Sequence, residues 1–424
     1  MFTTTTAEYL ESFARESSWR VHYLHVTHGA RPRIDLSAYD AVLISYCARL
    51  CIPGYVSEQF LELLDRYEGV RAIAIQDEYD FVEMERQRLD RVRPHVVLTC
   101  TPPDQRESVY PSGRYPGTEF MQVLTGYVPL HLSRVSRARP ISERSVHIGY
   151  RGRDLGPRYG RLARMKFDIG RVFREASIAR GVRCDIAMDE ASRIYGDAWY
   201  EWLSDCRSVL GTESGSNIFD FDGSIDAAAR SARGGQLSSV IQRKIDALDE
   251  TYRMGQISPR VFEAAATRTA LVLYEGRYSD ALVPYEHYIP VARDHSNLDE
   301  VFRAISDTDR LQAMVDRAYA HLIESGRFSY QAFVRQVESA LERHLRRPPG
   351  TGEIFVDPAS TDMKQPPLIE RPTTMPRAFD SFQLRSVLVQ LQTPPSALRL
   401  LLRAMGFGRI RGILARIAPA VFAR

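Results

Sequence analysis

Arg260 and Glu263 stand one turn apart at the head of a predicted helix that Pro259 opens, in the stretch SPRVFEAAATRTALVLY. A phosphate is held by cations and by the free backbone N–H groups of a helix N-terminus. A vicinal diol is held by a carboxylate that accepts two hydrogen bonds. Arg260 and Glu263 offer both kinds of partner, although a capping glutamate and a surface arginine have the same signature. A second candidate is GTESGSN, where Gly211, Glu213, Ser214, Gly215 and Ser216 follow a short apolar run. Small residues there let backbone amides approach phosphate oxygens, hydroxyls add donors, and Glu213 is placed to face a sugar. A third is GYRGRD, where Arg151 and Arg153 offer two cations to an anion and Gly152 between them permits close approach, unless they are solvated surface arginines.

Acidic chemistry is concentrated in IQDEYD, at the carboxyl end of a predicted strand. Asp77 or Glu78 could orient or deprotonate an incoming hydroxyl, and Asp80 completes the patch, unless these residues cap the next helix. Asp220 and Asp222 form a D-x-D that reads as a turn into Gly223 more readily than as a metal site. His22, His25 and His28 cannot all share one strand face and read as structural. His287, beside an apolar strand, is a candidate site residue because it titrates near neutrality.

These residues need rigid elements to place them. Helical patterns cover 7–16, 57–67 and 82–91, and strands are predicted at VHYLHV (21–26), AVLISY (41–46), RAIAI (71–75) and HVVLTC (95–100). After the Pro- and Arg-bearing stretch 124–144, a second series begins. Its strands are expected at 146–153, running into a Gly- and Arg-containing loop, and at 182–187, 207–211, 270–274 and 287–291. Its helices are expected at 159–178, 259–266, 297–305, 309–324 and 329–344. Strands alternating with helices predict an α/β chain of two Rossmann-like domains facing across a cleft, spanning 1–128 and 145–344.

The stretch from Ser258 to Ile305, followed by DRLQAMVDRAYAHLIESGRFSYQAFV, resembles the donor-binding half of GT-B glycosyltransferases, and with 146–153 the resemblance covers most of 146–344. It implies a glycosyltransferase of the hexosyltransferase kind. Such an enzyme moves a sugar from a nucleotide-diphosphate sugar to the hydroxyl of a glycan or lipid-linked acceptor, in surface glycan or glycolipid synthesis, with Glu263 on the ribose and no metal or other cofactor. Many members carry a second glutamate eight residues earlier, where this chain has Gly255. The first strand of the family is expected to be missing before TTTTAEYLESF, because the start is placed too late or because the member is truncated. These departures keep open a non-catalytic GT-B-like protein that binds glycans or acts as a scaffold. No G-x-G-x-x-G follows a strand, which argues against a dinucleotide dehydrogenase.

The net charge of +3 over 424 residues does not resemble a nucleic-acid binder, and no nucleic-acid partner is expected. Five scattered cysteines suggest a reducing cytoplasm rather than a disulfide framework. The N-terminus lacks a signal-peptide pattern, and no apolar run is long enough to span a bilayer. Residues 345–379 read as a Pro-rich linker. Residues 380–424 carry seven arginines against Asp380 alone, a net +6, and form a basic amphipathic pattern. Such a helical tail could lie on an anionic membrane at the inner face or dock on protein.

Overall fold

A computed structural model describes residues 4–26, 30–132, 139–232 and 236–346. The expected linker and basic tail, and His28, lie outside the described residues. Both sheets belong to one compact unit.

The first sheet is fully parallel, in the order β1 (Ala41–Ile44), β2 (Val70–Ile75), β3 (Val96–Thr99), β4 (Glu119–Gln122). The connections are α2 (Glu58–Asp65), α3 (Val82–Val92) and α4 (Pro103–Val109). Strand alternation decides which face each residue serves. Ile73, Ile75 and Val97 pack with Phe60, Leu64 and Leu89 of α2 and α3. Ala72, Ala74, Val96 and Leu98 face the other way, against Tyr9 of α1 (Thr4–Glu16) and Tyr330, Phe333 and Val337 of α12 (Tyr330–Glu342). Both faces are covered, which is why these strands read as continuous apolar runs.

One predicted strand is corrected. VHYLHV pairs with no strand among the described residues. Leu24 and Val26 instead pack as a loop into the α2/α3 core, and the Val26 carbonyl accepts from Ser57 N at 2.7 Å. Its apolar alternation records this packing, while His22 is taken by the Tyr39 hydroxyl at 3.0 Å.

The second sheet is also parallel. Its order is β6 (Cys184–Ala187), β5 (Val146–Arg151), β7 (Cys206–Gly211), β8 (Ala270–Tyr274), β9 (Ile289–Val291). On one face Ile148, Val272 and Tyr274 meet α5 (Gly160–Ala179), α10 (Leu298–Ser306) and α11 (Thr308–Tyr319). On the other, Leu271 and Leu273 meet α9 (Pro259–Ala266), with Leu203 of α6 (Asp197–Asp205) in the same core. Gly149 makes room for α6, because a Cβ there would lie 2.5 Å from Cys206 Sγ and 2.9 Å from Trp202 Cζ2.

Between β7 and β8 the chain makes an excursion through α7 (Ser224–Ser231) and α8 (Ser239–Thr251). Phe219, Tyr252 and Met254 from this excursion are buried in the core of the first sheet. Backbone bonds seal the contact: Asp220 N to Tyr79 O at 2.8 Å, and Val82 N to Asp220 O and Glu83 N to Phe221 O at 3.1 Å. Arg158 pairs with Asp80 on one side and with Asp226 at 2.7 Å on the other. The two sheets are therefore joined through a shared apolar core as well as by the chain between them.

Candidate active site

The order of the second sheet creates a switch point. The chain leaves β5 toward β6 on one side and leaves β7 toward β8 on the other, so a crevice opens outside the carboxyl ends of β5 and β7. Arg151 ends β5 and Gly211 ends β7. The first turn of α9 arrives at this place, where Arg260 Nη1 donates to the Arg151 carbonyl oxygen at 2.5 Å. Ser258 makes no side-chain cap, Pro259 has no N–H and Val261 N donates to Ser258 O at 2.9 Å, so of the first-turn amides Arg260 N is the one left to another acceptor.

Lys166 of α5 enters the same site. Its ammonium is pushed down to about 8, first by burial and then by the like charges of Arg260 and Arg153, with Asp77 opposing. None of the ion pairs among the described residues includes Lys166, Arg153 or Arg260. Lys166 bears the cost of these like charges, and an anion bound beside it removes that cost. Lys166 was not singled out from the sequence, though a signal existed. Of 56 basic residues only three are lysines, at 166, 244 and 364. A compact ammonium in a chain that otherwise uses arginine is a marked choice.

Glu263 lies on the inner side of α9 and accepts from Trp199 Nε1 at 2.8 Å. Burial pushes its carboxyl up, while the indole N–H and Arg260 pull it down. Glu8 of α1 sits in the same environment, held up to about 7 by burial and by the charge of Glu263. Neither Trp199 nor Glu8 has a local motif. Each reaches Glu263 from a distant part of the chain.

Several sequence candidates turn out to be structural. The Arg151 guanidinium pairs with Asp185 on β6 at 2.7 Å and lies 4.5 Å over the Trp202 ring, so it braces the sheet. Glu213 accepts from Arg277 N at 2.7 Å and fixes the loop after β8. Ser214 N donates to Gln256 O at 2.8 Å. Gly215 has φ +75° and its added Cβ would meet Gln256 Oε1 at 2.4 Å, so this close approach requires glycine. Ser216 is fully buried and accepts from Ile218 N at 3.0 Å. The 211–217 loop follows the end of β7, and the side chains of Glu213, Ser216 and Asn217 are spent holding it there, while Ser214 is held through its backbone.

The acidic patch divides in the same way. Glu78 is buried, accepting from Thr99, from Thr101 Oγ1 at 2.7 Å and from the Tyr110 hydroxyl at 3.2 Å. It stands behind the sheet end, not in the crevice. Asp80 is taken by Arg49 at 2.9 Å and by Arg158. Asp77 remains partly open, receiving the Tyr79 hydroxyl at 2.9 Å and pairing with Arg49 at 3.7 Å, and its charge favours the ammonium of Lys166. His287 is held in a structural stack. It is buried, accepts from Val283 N at 3.0 Å and stacks on His321 at 4.3 Å. Asp220 caps α7 through Asp226 N at 2.8 Å, and Asp222 pairs with Lys244 at 2.9 Å.

No family model and no curated protein matches the chain. Among solved structures, it is similar to an alpha-glucosyltransferase in complex with UDP-glucose and DNA containing an abasic site, at 12% identity and a TM-score of 0.44, covering 71% of this chain and 79% of that one. It is similar to HepE of Anabaena in complex with UDP, at 11% identity and a TM-score of 0.41, covering 72% and 79%. TarM gives 9% identity and a TM-score of 0.40, covering 71% of this chain and 54% of that one. The named enzymes among these structures are glycosyltransferases. At this distance the likeness assigns no chemistry, which has to come from the residues. The exclusion of nucleic acid made from net charge is nevertheless withdrawn, because glucosyltransferases bound to DNA stand among the similar structures. Overall charge is also a poor guide when acids and bases are segregated on a surface. Among the described residues no helix is long and apolar enough to cross a membrane, and no group of three His, Cys, Asp or Glu residues could hold a metal ion.

Proposed function

We propose that this chain is a glycosyltransferase that moves a hexosyl group from a nucleotide-diphosphate sugar to an acceptor hydroxyl. The observation that carries the reading is Arg260 at the head of α9, bonded across the end of β5 to the Arg151 carbonyl, with Lys166 on α5 beside the same strand, its carbonyl accepting from the Tyr150 hydroxyl at 2.6 Å and its charge opposed by Arg260 and Arg153. Cations and helix amides together form a seat for a diphosphate. Glu263 supplies the carboxylate for the ribose diol.

In this reading the charge that develops on the leaving diphosphate is stabilised by Lys166 and Arg260, which are in place before reaction. Asp77, with Tyr79 donating to it, faces Lys166 and orients or deprotonates the acceptor hydroxyl. The cations take the role a metal fills elsewhere, so transfer is expected to survive chelation. Peripheral attachment through 380–424 is proposed on its net +6 alone, and co-sedimentation with anionic vesicles at low and high salt tests it.

A thermal-shift screen of UDP, GDP, ADP and CDP and their sugars tests the function. A bound nucleotide raises the melting temperature by mass action. Absence of a shift with every nucleotide would contradict the reading.

A further inference from the structure

We propose that Trp199 is a positioning residue of the donor site, holding Glu263 through its indole N–H and Arg260 through its ring face. The proposal rests on the donor-site reading above. Trp199 lies on α6, more than fifty residues from both partners in sequence, yet it touches both. Its Nε1 donates to Glu263 Oε2 at 2.8 Å, and the Arg260 guanidinium lies 5.4 Å from its ring centroid. Its other neighbour is Trp202, with rings 5.1 Å apart and 24° from parallel. Trp202 is itself pinned, donating to Asp185 Oδ2 at 2.7 Å and lying beneath the Arg151 guanidinium at 4.5 Å.

The result is a column of four groups, Arg260, Trp199, Trp202 and Arg151, anchored on β6 and packed against β5. Each layer fixes the next. An indole N–H can only donate, so it takes one oxygen of Glu263 and leaves the second as the acceptor for a ligand hydroxyl. The ring face attracts Arg260 without consuming a hydrogen-bond donor, so that beyond the Nη1–H given to the Arg151 carbonyl its remaining donors stay available to a phosphate.

Trp199 also bears on the charge of Glu263. The groups facing this carboxyl are Trp199 and Tyr200 from α6, Arg260 from its own helix and Glu8 from α1. Glu8 is in turn faced by His131, whose Nδ1 lies 3.4 Å from Glu8 Oε1, by Glu11 and Arg15 on α1, and by Tyr330 on α12. Burial pushes Glu263 up, and the indole N–H is the first of the two influences that bring it down. Without that N–H the carboxyl takes a proton at higher pH, and a protonated acid is a poorer acceptor for a diol.

The test titrates UDP, GDP and ADP separately into wild type, Trp199→Phe, Trp199→Leu and Glu263→Gln by calorimetry, from neutral pH into the acid range. Trp199→Phe keeps the stack and loses the N–H. It is expected to bind about tenfold more weakly, with the acid limb of its affinity profile moved to higher pH. Trp199→Leu loses the stack as well and is expected to bind more weakly still. In ligand-free wild type the Trp199 indole proton resonance is expected to follow a carboxyl titration that Glu263→Gln abolishes. Melting curves establish that each variant is folded.

Trp199→Phe binding like wild type, with an unmoved acid limb, while Glu263→Gln binds weakly, would overturn the role of Trp199 and leave the donor site standing. Wild type binding none of the three nucleotides would overturn the donor site and this proposal with it.

Discussion

Arg260 Nη1 donates to the carbonyl oxygen of Arg151 at 2.5 Å, so a side chain from the head of α9 closes over the end of β5. The bond ties the two elements that border the switch point and holds the guanidinium beside Lys166. It also separates the roles of two arginines that look alike in sequence. The Arg151 side chain braces β6, while Arg260 stays at the crevice.

Lys166→Met is expected to weaken nucleoside diphosphate binding by about 1.5–3 kcal/mol, roughly ten- to a hundredfold. It should not lower the melting temperature, because an ammonium crowded by two guanidiniums is removed. Calorimetry and a melting curve on one preparation check both. Wild-type affinity in the variant would remove Lys166 from the site.

Binding should also depend on pH through this lysine. In the free protein its pKa is lowered to about 8, and a bound diphosphate raises it by favouring the charged form. Affinity is then full below pH 8 and falls as pH rises through 8 toward the higher pKa of the complex. Phosphates stay ionised throughout that range. The alkaline fall should be present in wild type and absent in Lys166→Met, as read by titration at successive pH values.

The parts legible in sequence are those where a local pattern and the final environment agree. AVLI, RAIAI and ALVLY are strands because sheets covered on both faces need continuous apolar runs. The helix start at Pro259 was legible, and with it the place of Arg260 and Glu263 on α9, without help from elsewhere. Lys166, Trp199 and Glu8 lie on three other helices and meet α9 only through the topology. Glu213, Ser216 and Glu78 mislead for the converse reason. Polar residues at strand ends suit ligand binding and loop bracing equally, and burial decides between them. The excursion that plants Phe219 and Tyr252 in the first sheet's core had no signal beyond ordinary aromatic residues.

Glu78→Gln is expected to leave nucleotide binding intact and to stabilise the protein at alkaline pH. Burial raises the Glu78 carboxyl to about 7, above its ordinary value of 4.5. The fold thus favours the protonated form, and that contribution is full below pH 4.5 and lost as pH rises through 7. The amide never ionises. The melting temperature of the variant relative to wild type should rise between pH 5 and 8, measured by calorimetry against buffers of matched ionic strength. A constant difference would place the carboxylate in a solvated setting.

Phe219→Ala should cost about 3–5 kcal/mol, since it empties a fully buried position. Phe219 belongs to the core of the first sheet although its own chain neighbours serve the second. The variant should therefore unfold at lower temperature, with probes on both sheets moving together. Separate transitions, with only the second sheet affected, would contradict the shared core.

The most direct measurement is a crystal structure of the protein with a nucleoside diphosphate bound, using whichever of UDP, GDP, ADP or CDP gives the largest thermal shift. The account predicts phosphate oxygens within hydrogen-bond distance of Lys166 Nζ, the Arg260 guanidinium and the Arg260 backbone amide at the head of α9, with the ribose hydroxyls on Glu263. A nucleotide seated elsewhere, with Lys166 and Glu263 untouched, would contradict it.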